Sequence, residues 1–303
     1  MNRAAKIAQV ARKSRAGAQS GAAGAGAPHA RHYSGLRRRG DALRWLIVSD
    51  LHYSLPQFDW LAQEAPRHDL VVLAGDALDI ASLVDYRAQA LVVCKYLQRI
   101  AETTKVIVSS GNHDLDAESA SGERIARWIE DLRASGIAVD GDSLALDDHF
   151  FTVCPWWDGP EARAKMLDQI EADSKARGAR RWVWIHHAPP RDTPVSWTGS
   201  KTLGDEDVTG LITRYRPDCV VSGHIHQSPF VKDGSWVDRL DDTWVFNAGR
   251  QYGAPPAFIL VQSKIGEAVW LSAMGAQSVR FDAPLVRPLP SLRALPDWFD
   301  AAQ

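Results

Sequence analysis

Five short stretches of this chain bring oxygen and imidazole donors together: Asp50-Leu-His52, Gly75-Asp76-Ala-Leu-Asp79, Gly111-Asn112-His113-Asp114, His186-His187-Ala-Pro189 and Gly223-His224-Ile-His226. Carboxylate, amide oxygen and imidazole are donors that divalent cations take, and a histidine beside such a ligand can also move a proton. In extended chain Asp50 and His52, like His224 and His226, point the same way, so each pair can serve one ion or two neighbouring ones. Gly75, Gly111 and Gly223 stand just before a donor, where the backbone must turn tightly or pass close to a bound group. A lone Asp-x-His or His-x-His is more often a satisfied surface pair. Five such sites in register call for another explanation. Asp50, His52, Asp76, Asn112, His187, His224 and His226 make seven ligands, too many for one ion. They suit two divalent cations about 3.5–4 Å apart that share a carboxylate. No thiolate takes part, which disfavours structural zinc, and the mixed donor set suits Mn, Fe, Zn or Ni without choosing among them. His186 adjoins His187 and is the alternative ligand at that position.

Each donor stretch follows an apolar, largely β-branched run: Leu46–Val48, Leu70–Leu73, Val106–Val108, Trp182–Ile185 and Cys219–Val221. In open αβ sheets ligands bind outside the carboxyl ends of the strands, so the five ends converge on one crevice. Between them the spacing predicts helices over Ala81–Ala101, around Ile125–Leu132 with Gly136 as its stop, over Glu161–Arg177 and over Asp205–Tyr215. The first strand reaches back to Leu43, and further short strands are expected at Ile137–Val139, Leu144–Leu146 and Phe150–Val153. The last third turns β-rich: a hairpin of Phe230–Val231 and Trp236–Val237 across Asp233-Gly234, then Trp244–Phe246, Ala257–Val261 and Ala268–Leu271. Pro284–Pro296 reads as extended, with Trp298 and Phe299 as anchors. Strand–helix alternation giving way to strands implies a mixed αβ domain with more than one sheet, here residues 41–303.

Hydrophobic content of 45% and charged content of 24% are ordinary globular values. Residues 1–40 differ. They carry nine Lys or Arg and no acid, so the net charge of −2 hides a +9 tail on a −11 body. Their Ala/Gly/Arg-rich composition cannot offset ordering entropy and reads as a disordered basic extension; an organelle transit peptide is the other reading. The acidic body is a poor nucleic-acid surface, and no apolar run approaches a membrane span. Cys94, Cys154 and Cys219 sit in apolar segments without close spacing, as reduced thiols of a cytoplasmic protein do.

The combined order Asp50-x-His52, Gly75-Asp76-x-x-Asp79, Gly111-Asn112-His113-Asp114, His187-x-Pro189, Gly223-His224-x-His226 resembles the calcineurin-like metallophosphoesterase superfamily, over roughly residues 44–250. The resemblance implies a four-layer αββα sandwich, two packed mixed sheets flanked by helices, with a dinuclear metal site hydrolysing phosphoesters at the strand ends. It implies further that Asp76 bridges the metals. Asp50, His52 and His226 complete one ion, and Asn112, His187 and His224 the other. His113 is then the catalytic imidazole; Asp114 orients it and Asp79 supports a ligand, or either carboxylate caps the helix that follows it. Asn247-Ala248-Gly249 stands where the family often has Asn-Pro-Gly, and Ser110 where protein phosphatases carry Arg, which argues against a phosphoprotein substrate.

The adjacent Trp156 and Trp157 can stack on a base or an apolar leaving group, or belong to the core, and Trp197, Lys201 and Arg250 lie on nearby loops. These readings point to a metal-dependent phosphodiesterase or phosphatase acting on a small, nucleotide-like phosphoester. The competing readings are a nuclease and a non-catalytic metal-binding scaffold of the same fold. A scaffold has no need of His113.

Overall fold

A computed structural model describes residues 43–300, and the basic tail expected over residues 1–40 lies outside them. In chain order the elements are β1 (Arg44–Val48), α1 (Leu55–Glu64), β2 (Leu70–Ala74), α2 (Tyr86–Ala101), β3 (Lys105–Ser109), β4 (Ala117–Glu118), β5 (Arg124–Ile125) and α3 (Arg127–Glu130). There follow β6 (Ser143–Leu146), β7 (His149–Val153), α4 (Pro160–Ala176), β8 (Arg181–Ile185), α5 (Glu206–Tyr215) and β9 (Cys219–Ser222). The last are β10 (Val237–Leu240), β11 (Thr243–Asn247), β12 (Phe258–Gln262), β13 (Glu267–Ser272), β14 (Gly275–Arg280) and α6 (Asp297–Asp300).

Two six-stranded mixed sheets face each other. One runs β14-β13-β12-β1-β2-β3 and the other β10-β11-β9-β8-β7-β6. In the first, β1, β2 and β3 are parallel; in the second, β7, β8, β9 and β11 are. Strands covered on both faces are apolar at every position, and their period-2 alternation decides which layer each residue enters. Along β1, Leu46 and Val48 enter the core under α1 and α2, while Trp45 and Ile47 enter the core between the sheets. Along β8, Val183 and Ile185 face the inter-sheet core, and Trp182 and Trp184 the core under α4 and α5. The result is the expected αββα sandwich.

The register sets the site. Val48 pairs with Leu73 and Ala74 with Ser109, so the three strand ends stand side by side and Asp50, Asp76 and Asn112 leave them together. In the other sheet Ile185 pairs with Val221, and the Gly223 N–H donates to the His187 carbonyl at 2.9 Å.

Local chemistry moves some boundaries. The helix expected from Ala81 starts at Tyr86, because the Asp85 carboxylate accepts from the N–H groups of Arg87 and Ala88 and caps it there. Residues 80–84 are thus a loop. The hairpin expected across Asp233-Gly234 does not form. Ser228–Phe230 is a 3₁₀ turn, Trp236 is buried in the inter-sheet core with its indole N–H on Gln277, and β10 pairs with β11 across Asp241-Asp242 instead. The helix around Ile125–Leu132 is α3 plus a 3₁₀ turn that Gly136 ends at φ 76°, and Ile137–Val139 contributes a single bridge, Ala138 to Ile107. Leu285 and Leu289 pack into the inter-sheet core, and Trp298, its N–H on Glu267, packs with Phe299 against the helix-side core. The three thiols are free, and burial pushes Cys94 up to about 11. Among the described residues no helix is long and apolar enough to cross a membrane.

Candidate metal centre

The loops after β1 and β2 are built against each other. Asp50 N–H donates to Gly75 O, His52 N–H to Asp76 O and Tyr53 N–H to Ala77 O, at 3.1, 2.9 and 2.8 Å. This pairing replaces the extended geometry expected for the Asp-x-His and His-x-His pairs. Asp50, His52, Asp76 and His224 all lie at positive φ, 56°, 42°, 54° and 66°, in the left-handed region that side chains avoid. Each pair converges through a tight turn, not through strand alternation.

The glycines leave room for the donors. A Cβ on Gly75, itself at φ 83°, would sit 2.2 Å from His187 Nδ1; one on Gly111 would sit 2.2 Å from Asp76 Oδ1, and one on Gly223 2.6 Å from Asp50 Oδ2.

Three donor groups result among the described residues: Asp76 belongs to two of them, and His52, Asp79 and His113 make the third. Asp50, His52, Asp76 and His226 have ligand atoms within 4.8 Å of one another, as do Asp76, His187 and His224. Asp76 Oδ2 lies 3.1 Å from His187 Nε2 and 3.5 Å from His52 Nε2; Asp50 Oδ1 lies 3.2 Å from His226 Nε2. His224 Nδ1 is 2.9 Å from Asn112 Oδ1, so the amide oxygen joins the second group. Of the adjacent histidines, His187 faces the acids. Its Nδ1–H donates to the Ala74 carbonyl at 2.8 Å, which turns Nε2 toward Asp76. His186 stacks on Trp157 at 4.7 Å, away from this focus.

The electrostatics fit a cation. Burial alone would raise Asp50 and Asp76, yet the neighbouring histidines hold both carboxyls below their ordinary value. Burial pulls His52 and His224 each down to about 4, so they are neutral donors. His187 goes the other way: against burial, the charges of Asp76 and Asp50 push it up to about 9. The two acids thus demand positive charge at this point. Asp50 Oδ2 is buried without a hydrogen-bond partner, and the buried His187 Nε2 has only the Asp76 carboxylate, at 3.1 Å, while His52 turns its Nε2 to the same acids. Buried donors left unpaired beside two carboxylates are a ligand set, and the residues fit divalent cations.

His113 and its expected helpers are placed differently from one another. The His113 ring lies half-buried, edge-on to His52 at 4.5 Å. Its backbone N–H donates to Asp76 Oδ1 at 2.8 Å, and its carbonyl accepts from the Tyr86 hydroxyl. Asp114, expected to orient the ring, does not reach it. Its buried carboxylate accepts instead from the N–H groups of Gly111 (2.8 Å), Asp76 (2.8 Å), Leu78 (3.0 Å) and Ala77 (3.4 Å), clamping the loops after β2 and β3 together. Asp79 is the acid beside the imidazole, its Oδ1 3.7 Å from Nδ1, and it caps no helix. The Ile80 N–H also meets that nitrogen, at 3.3 Å. Ile80, Tyr86 and the buried Gln89 carried no signal as single residues, because only the fold brings them to the turn.

The rim is made by other loops. Trp156 lies 5.2 Å from the His224 ring and 5.7 Å from His187, half-buried. Arg250 donates its backbone N–H to the His226 carbonyl and lays its guanidinium over Tyr252 at 5.4 Å. Asn247 is buried, its amide donating to Val195, Ile225 and Ser228 and so tying the His224–His226 loop down. Trp197 donates to the Lys232 carbonyl and pins its own loop, while Lys201 is an exposed cation.

A sequence profile described as Calcineurin-like phosphoesterase matches residues 43–228, more than half of the chain. The curated proteins yield no match. Among solved structures, TT1561 of Thermus thermophilus superposes with a TM-score of 0.52 at 14% identity, over 79% of this chain and 99% of that one. A purple acid phosphatase, PPD1 from yellow lupin (Lupinus luteus) seeds, gives 0.49 at 14% identity, over 81% of this chain and 52% of its own. At such identity the first likeness speaks for the fold alone. The profile match carries the assignment: this chain belongs to the calcineurin-like phosphoesterase family.

Proposed function

We propose that this chain hydrolyses a phosphomonoester or phosphodiester of a small substrate at a two-cation centre. The observation that supports it most is the Asp76 carboxylate, which belongs to two donor groups at once. Asp50, His52 and His226 would complete one ion, and Asn112, His187 and His224 the other. Divalent cations bound there supply Lewis acidity toward phosphoryl oxygens and acidify a water near neutral pH.

The chain's own residues do the rest. Asp50 and His187 are fully buried and hold their donors rigidly, whereas the His226 side chain is one-third exposed and opens the centre toward solvent. His113 holds the proton for the leaving oxygen. The Ile80 N–H at 3.3 Å and the Asp79 carboxylate at 3.7 Å both lie against Nδ1, which leaves Nε2 as the nitrogen free to serve that oxygen. Arg250 adds a cation on the His226 side, where it helps keep His52 neutral. A small substrate is favoured over nucleic acid because the acidic body offers no long basic track for a phosphate backbone.

The test is turnover of p-nitrophenyl phosphate, its bis-ester and cyclic nucleotides with each of Mn, Fe, Zn and Ni, alongside His113→Asn. Turnover is expected with at least one metal. The variant should keep metal content and Tm while losing about 10²–10⁴-fold on esters of poor leaving groups, and less on nitrophenyl esters. No wild-type turnover with any metal favours the scaffold. An unimpaired His113→Asn removes the imidazole from proton transfer.

A further inference from the structure

The loop between β2 and α2 carries three large aliphatic residues in five positions. Leu83 is 105% exposed, Ile80 57% and Val84 42%. The other exposed large apolar side chains among the described residues are scattered along the sequence, which is normal for a surface, whereas three in five positions beside a reaction centre are not. The loop cannot fold these side chains away, because it is tied at both ends. Buried Gln89 accepts from the Asp79 N–H at 2.9 Å and donates to the carbonyls of Asp79 and Val84 at 3.1 and 2.9 Å. Asp79 also accepts from the Ala81 N–H, the Ser82 hydroxyl from the Val84 N–H, and Asp85 caps α2. The same loop touches the His113 imidazole through the Ile80 N–H.

We infer that residues 80–84 form an apolar wall for the leaving group, so that the ester cleaved here carries an alkyl or aryl body on its leaving oxygen. The inference rests on the hydrolase reading above, in which His113 serves that oxygen. The loop borders His113 on its Nδ1 side, so an apolar body that extends from the leaving oxygen past the ring meets it. An anionic lipid surface is a poorer occupant, since no Lys or Arg stands between Asp76 and Tyr86 while Asp79 and Asp85 flank the apolar residues.

The experiment measures alcohol release from two series, n-alkyl phosphates and methyl n-alkyl phosphates, from methyl to octyl and below micelle formation. A fully buried methylene is worth about four-fold, and contact on one side about half that free energy, or two-fold. We expect kcat/KM to rise about two-fold per methylene over the first several carbons, Leu83→Ser to flatten the rise and Leu83→Met to retain it. A wild-type profile without chain-length dependence, or a slope that Leu83→Ser leaves intact, overturns the inference while leaving the hydrolase reading standing. If no alkyl or nitrophenyl ester is turned over with any metal, the hydrolase reading itself fails. Binding of the wild type, but not Leu83→Ser, to phosphatidylcholine vesicles with a flat alkyl profile assigns the loop to a lipid surface and also overturns it.

Discussion

Replacing Asp114 by Asn separates a structural clamp from a partner in proton transfer. The Asp114 Oδ2 atom accepts from Gly111 and Asp76, both at 2.8 Å, and from Ala77 at 3.4 Å, while Oδ1 accepts from Leu78 at 3.0 Å. An asparagine can turn its one oxygen toward Gly111 and Asp76, but its NH₂ then faces the Leu78 N–H, donor against donor. Losing a hydrogen bond to a charged acceptor costs about 1.5–3 kcal/mol. Part of this is offset. Burial first, and then the Asp76 charge, push Asp114 up to about 7, so removing its charge relieves a repulsion with Asp76. A net loss of about 1–2 kcal/mol remains, which for a body of this size lowers Tm by about 2–8 °C. Calorimetry on apo and metal-loaded protein should show that fall, with weaker metal retention because Asp76 and Asn112 leave the clamped loops. Asp114→Ala strands three close N–H donors in the core at about 1–3 kcal/mol each, comparable to the whole stability of a domain, and should fold poorly. An Asn variant with unchanged Tm and metal content but a large loss of turnover would refute the clamp and return Asp114 to the chemistry.

Asp76→Asn removes the charge that lets two cations sit side by side, so elemental analysis should find fewer than two metals per chain; two full equivalents would take Asp76 out of the bridging role. Gly111→Ala would push a methyl to within 2.2 Å of Asp76 Oδ1 and 2.6 Å of its backbone nitrogen, so metal content should fall sharply. Retention of metal there would show that the turn after β3 yields easily. Deleting residues 1–40 should leave metal content and small-substrate turnover unchanged, and a truncated protein that loses its metal would show that the tail packs on the body.

Strand ends were legible because burial on both faces makes β1, β2, β3, β8 and β9 apolar at nearly every position, so the polar residue that follows each one stands out. Within each sheet their convergence follows from the rule that parallel strands end on one side, whereas the meeting of the two sets of ends is decided by how the sheets pack. What could not be read was anything decided by contacts across loops. Asp114 adjoins His113 in sequence, yet its carboxylate turns to amides 36 to 38 positions away in the loop after β2, as well as to Gly111. Asp79, just before a helical pattern, gave no sign that Asp85 would take the cap and leave Asp79 to His113. At residues 230–237 the turn pair Asp233-Gly234 sits among apolar residues, but burying the large Trp236 ring between the sheets outweighed the local preference for a hairpin there.

The backbone at the ligands shows which force dominates the local structure. Asp50, His52, Asp76 and His224 each hold a left-handed conformation that costs about 1–2 kcal/mol for a residue with a side chain. Propensity alone would place glycine at these positions. The three N–H bonds from Asp50, His52 and Tyr53 to the loop after β2 compensate part of that cost, because without the turn those carbonyls would be buried with no donor. Yet the same bonds drive carboxylates and imidazoles to within 4 Å of one another, where buried polar atoms are left without partners. A sequence selected for stability alone would relax both defects at once, with a glycine at the turn and an apolar side chain in the crevice. Their joint persistence at the C-terminal ends of both sheets is accounted for by what the donors can do together and none can do alone: concentrate negative charge and lone pairs on one point, in a frame rigid enough that a bound cation need not organise it.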